Sequence, residues 1–349
     1  MTGSAGAPVV DLLNRGRSAH GVIGFGGAPL GNLARALSDD EAARTMRRAW
    51  DQGVRYYDTA PHYGLGLSER RVGAELRHHP RDQYVVSTKV GRLIVPNPRP
   101  REWDDDGFAV PGDLTRRWDF SAAGVERSLH ESLARLGIDS VDILYAHDPD
   151  QAWEGAAREG LASLARLKAE GVVRAIGVGT NSTAGLAGLI EEGLVDVIML
   201  ANRYSLLDHS ALDSVLAPAH RAGVAVVAVG VFATGLLSTP RPAPGLTYEY
   251  RAADAEVIER ARRIAAICED HGVELPDAAL AFPLLHPAVT AIAVGMRSPD
   301  EVDEDLRRFR ADVPAGLWED LVAEGLIPAG AVRVVEDHRG AALGEGGQA

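Results

Sequence analysis

Residues 171–193, GVVRAIGVGTNSTAGLAGLIEEG, contain one strand-then-helix unit held between two helix-stopping glycines. Gly171 closes the preceding helix pattern, Arg174-Ala175-Ile176-Gly177-Val178 reads as a short buried strand, and a helix from about Thr183 to Glu192 ends at Gly193. The same unit recurs in both directions. Upstream, strands at 21–24, 55–57, 84–88 and 141–145 are followed by helix patterns at 38–52, 68–77, 121–136 and 153–170. Ser38 with Glu41 three residues on is a capping-box signature, and Ser121 stands where a cap belongs. Downstream, strands at 197–200, 225–229 and 291–294 alternate with helix patterns at 211–222, 254–271, 276–285 and 299–309. Eight such units, with Val-rich strands and no hydrophilic linker, predict an α/β protein folded as a single (β/α)8 TIM barrel over residues 1–335. A doubly wound open sheet is the alternative. The glycine-rich tail at 336–349 reads as disordered.

Composition narrows the function classes. Of 349 residues 46% are hydrophobic, enough for one large core, and no apolar run approaches the ~18 residues of a membrane span. The N-terminal stretch has no basic segment leading into an apolar one, so a cytoplasmic location is expected. A formal charge of −13 argues against a nucleic-acid partner, since phosphate binding relies on clustered Lys and Arg. The single Cys268 excludes an internal disulfide and gives no Cys-based zinc site; no HExxH spacing occurs, and no metal is expected. Oligomeric state is left as monomer or homodimer.

Four polar residues, Asp58, Tyr63, Lys89 and His147, follow three successive strands, where parallel strand ends face a common mouth. Their acidities are complementary. A phenol titrates near ~10 and becomes a usable base only where a cation such as Lys89 favours the phenolate. Asp58 would hold that ammonium in place, and His147 would donate to a substrate oxygen. Singly, each has a plainer role as cap, loop anchor, solvated strand end or turn residue; together they form a proton-transfer set. The cluster Gly24-Phe25-Gly26-Gly27 does not complete GxGxxG, because Pro29 stands where the last glycine would fall. Any nucleotide must be held in a non-Rossmann way.

The segments Tyr57-Asp58-Thr59-Ala60-Pro61-His62-Tyr63-Gly64, Ser68-Glu69, Ser87-Thr88-Lys89 and Leu144-Tyr145-Ala146-His147-Asp148-Pro149 strongly resemble the aldo-keto reductases, in order over roughly residues 21–326. Within that family, Phe25 to Asn32, His62 to Arg70, Arg117 to Ser121 and Gly230-Val231-Phe232 are most similar to the sugar dehydrogenase branch of L-fucose, D-threo-aldose and L-galactose 1-dehydrogenases. A pyridoxal dehydrogenase in the same branch is also similar. The resemblance implies Tyr63 as general acid/base, Lys89 and Asp58 as its tuning pair, and His147 as the orienting group. It implies direct hydride transfer between NAD or NADP and a small-molecule substrate, with an aldose oxidised at the anomeric carbon to a lactone.

By the same resemblance the cofactor would meet Gly26, Gly27, Asp58, Thr180, Asn181, Gly230, Val231, Phe232, Gly235, Leu236, Gly295, Arg297, Ser298, Glu301 and Asp305. Departures from the family pattern matter here. Gly179 and Thr180 replace its Ser-Asn pair, and Val229 stands at its stacking tyrosine, leaving Phe232 as the neighbouring aromatic. Arg297 and Ser298 suit the 2′-phosphate of NADP, whereas Glu301 and Asp305 would repel it. Phe25, Trp118 and Asp148 are the expected substrate contacts: Asp148 replaces an aromatic residue, and its carboxylate would accept from sugar hydroxyls, or else mark an Asp-Pro turn. The Pro- and Arg-rich segment 91–119 reads as a long loop covering the substrate, with Trp118 as its wall; Trp103 and Phe108 could instead pin it to the barrel. The alternatives are a reductase of non-sugar aldehydes or ketones, and a non-catalytic nucleotide-binding, redox-sensing barrel.

Overall fold

Short runs of β-branched residues bounded by glycine stops become, in the computed structural model, the staves of a closed barrel; residues 7–249 and 251–332 are described. In chain order the strands are β1 (Ile23–Gly26), β2 (Tyr56–Asp58), β3 (Val85–Val90), β4 (Arg92–Arg101), β5 (Gly112–Trp118), β6 (Ile143–His147), β7 (Ala175–Thr180), β8 (Val197–Ala201), β9 (Ala225–Val229), β10 (Thr247–Tyr248), β11 (Arg251–Ala252) and β12 (Val289–Gly295). Eight of them pair in parallel in the closed order β1-β12-β9-β8-β7-β6-β3-β2. The helices are α1 (Ala7–Leu13), α2 (Asp39–Asp51), α3 (Leu67–Leu76), α4 (Ala122–Leu136), α5 (Ala156–Ala169), α6 (Leu186–Glu191), α7 (Ala217–Ala222), α8 (Ala255–Asp270), α9 (Leu275–Ala281), α10 (Pro299–Phe309) and α11 (Ala315–Ala323). The TIM-barrel expectation holds and the open sheet is excluded. The tail expected to be disordered, 336–349, lies outside the described residues.

A strand side chain changes face at every residue, and a barrel strand is buried on both faces. Tyr56, Val85, Ile143, Tyr145, Val197, Met199 and Val227 accordingly form one cluster inside the barrel, while Phe25, Tyr57, Val86, Leu144, Ile198 and Ile292 join the helices in another. Val9, Leu12 and Leu13 of α1 belong to the inner cluster, so this short helix packs onto the barrel interior. The inward Tyr56 ring is accommodated by a glycine: a Cβ on Gly24 would lie 2.4 Å from it. Gly73 has a different task. Its absent Cβ, 1.9 Å from the Leu136 carbonyl oxygen, lets α3 and α4 touch backbone to backbone.

Caps fall where the sequence puts them. Ser38 accepts from the Glu41 N–H while Glu41 accepts from the Ser38 N–H, a reciprocal box that satisfies two N–H groups the helix start would leave free. Ser121 likewise caps α4. The helix expected at 211–222 opens instead as a wider π turn, Leu212–Leu216, because Pro218 at the start of α7 has no N–H to give the regular ladder.

The segment 91–119 is the main correction. Its expected loop is an antiparallel ribbon, β4 against β5, registered from Arg92↔Trp118 to Arg101↔Gly112. Pro96, Pro98 and Pro100 alternate along β4, and a two-stranded ribbon leaves every other N–H position unpaired, so prolines fit where a central strand would reject them. Phe108 and Val110, between the ribbon strands, are buried with Leu65 beside Tyr63 and Ile94. Phe108 thus pins the ribbon to the turn after β2; Trp103 is 57% exposed and pins nothing.

Candidate active site

Asp58, Lys89 and His147 belong to the last residues of β2, β3 and β6 rather than to the loops beyond them. Even-numbered spacing from Tyr56, Val85 and Tyr145 turns all three into the barrel. Lys89 Nζ donates to Asp58 Oδ2 at 2.5 Å and to the Thr59 carbonyl at 3.0 Å, with both charged residues at most 3% exposed. The other carboxylate oxygen accepts from Ser87 at 2.6 Å, and Ser87 in turn meets the Tyr56 hydroxyl at 3.1 Å. Tyr63, on the turn after β2, places its ring centroid 4.7 Å from Lys89 Nζ and 5.9 Å from the His147 ring. The structure brings the four expected residues together.

Burial and charge set their protonation. Burial works against the Lys89 ammonium, yet Asp58 and Tyr63 hold its pKa above the usual lysine value. Burial lifts the Asp58 carboxyl, and Lys89 and Ser87 pull it back. Tyr63 is pushed up to about 12 by burial, with Lys89 opposing. The resting phenol is therefore protonated. His147 sits well below its ordinary pKa because it is buried among Lys89, Arg92 and Arg116, so it is a neutral imidazole able to donate one N–H. His62, driven down to about 2 by burial and then by Arg92, is neutral too; its ring lies 5.4 Å from that of His147.

On the substrate side the expected residues divide. Phe25 is wholly buried between barrel and helices, 6.2 Å from the Tyr57 ring, so it is a core residue and not a substrate contact: its odd position in β1 turns it away from the mouth. Asp148 adopts φ 42° and ion-pairs with Arg92 at 2.5 Å, and its Oδ2 lies 3.5 Å from His147 Nε2. Trp118 stacks on Phe120 and carries the Arg92 guanidinium 4.3 Å above its ring. Arg92 links the two residues, and sequence reasoning passed over it because it stood in what read as a loop.

The cofactor side shows backbone built for close approach. Gly230, after β9, has φ 71°, and a Cβ there would fall 2.2 Å from Asn202 Oδ1. Ala233 and Thr234 follow at φ 49° and 56°, a left-handed pair that a non-glycine chain adopts at a cost, and Phe232 and Gly235 flank them. Val231 and Leu236 are buried core side chains, leaving only their main chain to meet a ligand. Asn202 Oδ1 is buried and meets no hydrogen-bond partner among the described residues, beside Gly230 at the end of β8. An amide N–H₂ donor fits that acceptor, which is what a nicotinamide carboxamide offers. Asn202 is a polar residue at a strand end, the signal that singles out Asp58, and it was missed.

Thr180 donates to Asp150 at 2.6 Å, and the Asn181 carbonyl accepts from Arg203 at 2.7 Å, so both hold the rim. Gly27 gives its N–H to the Asp58 carbonyl, and a Cβ would strike that oxygen at 2.6 Å; its missing side chain serves packing. Gly26 pairs with Gly295 between β1 and β12, where Gly295 lies against Pro29. Ser298 caps α10 by accepting from the Glu301 N–H, and Glu301 accepts from the Arg297 N–H at 2.9 Å. Asp305, buried near Glu301 and Glu304, has its pKa raised to about 7, burial being the main cause.

Residues 22–321 match the family model described as the aldo/keto reductase family. The chain is 46% identical to a D-threo-aldose 1-dehydrogenase of a Pseudomonas species, over 88% of this chain and 94% of that protein. It is 36% identical to a pyridoxal 4-dehydrogenase of Microbacterium luteolum, over 87% and 94% of the two. A solved glycerol dehydrogenase from Gluconobacter oxydans superposes with a TM-score of 0.70 over 89% of this chain and 92% of that one, at 23% identity, a likeness of fold.

Proposed function

This chain belongs to the aldo/keto reductase family of oxidoreductases, and from that membership we propose that it oxidises the anomeric carbon of a ring-form aldose of the fucose or galactose type to a lactone. The observation that carries the reading is the 46% likeness to a D-threo-aldose 1-dehydrogenase in a chain whose Tyr63 stands over a buried Lys89–Asp58 pair. A nicotinamide dinucleotide, NAD or NADP, would supply the two-electron acceptor for the C1 hydride. The protein's share is to move one proton and fix one oxygen. In this direction Tyr63 first gives its own phenolic proton to solvent, the Lys89 ammonium stabilising the phenolate, and Tyr63 Oη then takes the anomeric hydroxyl proton as the C1–H bond breaks. His147, neutral, donates to the same substrate oxygen and fixes its direction. On an open carbonyl the same residues run in reverse, Tyr63 giving its proton.

Asn202, Thr180 and Asn181, with the main chain from Gly230 to Leu236, would hold the nicotinamide end; Gly26, Gly27 and Gly295 would line the approach. Arg297 and Ser298 would face the adenine ribose, and Glu301 and Asp305 weigh against a 2′-phosphate there, so either dinucleotide is proposed. Among the described residues no helix is long and apolar enough to cross a membrane. A cytoplasmic location and a monomer or homodimer are part of the same proposal.

A panel of aldoses with NAD⁺ and NADP⁺, read at 340 nm, tests the assignment. Lactone formation from fucose- or galactose-type sugars is the expected result. Silence across the sugars alongside rapid reduction of simple aldehydes would overturn it.

A further inference from the structure

Arg92 reaches the mouth of the barrel from outside the proton-transfer set, and so does Arg116, which donates to the His62 carbonyl at 2.7 Å. Arg92 follows β3 through Gly91, whose φ of 105° and contact with the Phe120 ring admit no side chain there. The turn brings Arg92 back over the strand ends, where its side chain is only 11% exposed. One guanidinium nitrogen donates to Asp148 Oδ2 at 2.5 Å and lies 3.4 Å from the Gln151 side-chain oxygen; the other is 3.5 Å from His62 Nδ1. Its Nε is buried and meets no partner among the described residues, and His147 Nδ1 is in the same condition. Asp148 Oδ1 meets no donor among the described residues, although the carboxyl is largely buried beside His147. Trp118 presents its face beneath the guanidinium.

We propose that Arg92 and Asp148 form a donor–acceptor pair that reads adjacent hydroxyls of a neutral sugar, the guanidinium donating to one and the carboxylate accepting from the next. This rests on the aldose reading and narrows it: the substrate is an uncharged aldose, without carboxylate or phosphate. The charge balance carries that step. Arg92 is neutralised by Asp148, whose carboxyl is pushed up by burial first and by the nearby Asp150 carboxylate as well, so a further anion would face two carboxylates for one guanidinium. A diol instead gains a donor from the guanidinium and an acceptor from the free carboxylate oxygen, each a hydrogen bond to a charged group. The His147–Asp148–Arg92–Trp118 sequence of contacts thus ties the reacting carbon's orienting group to the sugar's distal face.

The test compares D-galactose with D-galacturonate and D-galactose 6-phosphate in the wild type and in Arg92→Met. The wild type should prefer the neutral sugar by about tenfold or more, and Arg92→Met should raise KM for it about tenfold with a smaller change in kcat. A wild type that prefers the charged sugars, with the preference erased in Arg92→Met, would make Arg92 an anion site and overturn the proposal. If no aldose is oxidised at all, the functional reading fails, and the pair is still decided in the reductive direction. There the kcat/KM ratio of glyceraldehyde to propanal should fall about tenfold in Arg92→Met. Equal loss on both aldehydes would show a purely structural role. Should Arg92→Met not fold, Asp148→Asn keeps the side-chain shape and the left-handed backbone that Asn tolerates, and the same ratio decides.

Discussion

Replacing Lys89 with methionine removes the cation bonded to Asp58 and leaves a carboxylate that is 3% exposed with Ser87 as its remaining donor among the described residues. Breaking a buried ion pair from one side costs about 3–5 kcal/mol, since the surviving charge has lost both its solvent and its partner. An upper bound comes from the proton. At pH 7.5 a carboxyl of ordinary pKa near ~3.9 can be protonated for about 5 kcal/mol, so the variant sheds the charge rather than lose more than that. The sign follows: folded Lys89→Met holds a proton on Asp58 that the unfolded chain has released, so its stability falls as pH rises. Between pH 5.5 and 7.5 the deficit relative to wild type should grow by about 1.4 kcal/mol per unit. Urea denaturation followed by circular dichroism at three pH values measures it. In Asp58→Asn/Lys89→Met the neutral amide still meets Ser87, so most of the stability should return while turnover stays lost, because Tyr63 has no cation. A Lys89→Met deficit that is flat with pH, or a double variant that regains turnover, would refute the coupling argued from this geometry.

Other consequences are simpler. Tyr63→Phe keeps the ring and its contact with Phe108 but removes the proton carrier, so cofactor binding should survive while kcat falls by about 10² or more; near-normal turnover rejects the role. Asp305 has a folded pKa raised to about 7, so the protonated form favours folding below the ordinary carboxyl range and that advantage is gone once pH passes 7. Asp305→Asn should therefore be more stable than wild type at pH 8, by at most about 4 kcal/mol, with the gain vanishing near pH 4. An unchanged urea midpoint at pH 8 would contradict it. Arg297→Ala should weaken NADP⁺ more than NAD⁺ in kcat/KM; equal effects on both would remove Arg297 from phosphate recognition.

What the sequence revealed depended on how local the determining physics was. Glycine stops at 171, 193 and 223 and the Ser38–Glu41 box are short-range signals, and each stands where it was read. Strand ends were read short by two residues at Lys89 and His147 and by one at Asp58, for a reason that is itself informative. A polar residue inside a Val-rich strand looks like the strand's end, but in a barrel the inward positions at the C-terminal rim are where polar groups converge. Ser87 was invisible as a partner of Asp58 because only parallel register places it opposite that residue.

Proline density hid the ribbon, and with it Arg92. A proline in β4 forfeits one N–H, which is fatal to a strand paired on both sides and costs little in a two-stranded ribbon where alternate N–H groups face outward anyway. Composition cannot tell these cases apart, since the difference lies in how many neighbours the strand will have. The consequence reaches the substrate. A disordered loop at 91–119 would carry its arginines as mobile charges screened by water, whereas the ribbon, pinned by Phe108 and Val110 to the turn that holds Tyr63, fixes Arg92 against Asp148 beside His147. The same segment therefore turns from a cover over the sugar into a fixed recognition wall, and selectivity becomes a matter of one buried guanidinium and the carboxylate beside it.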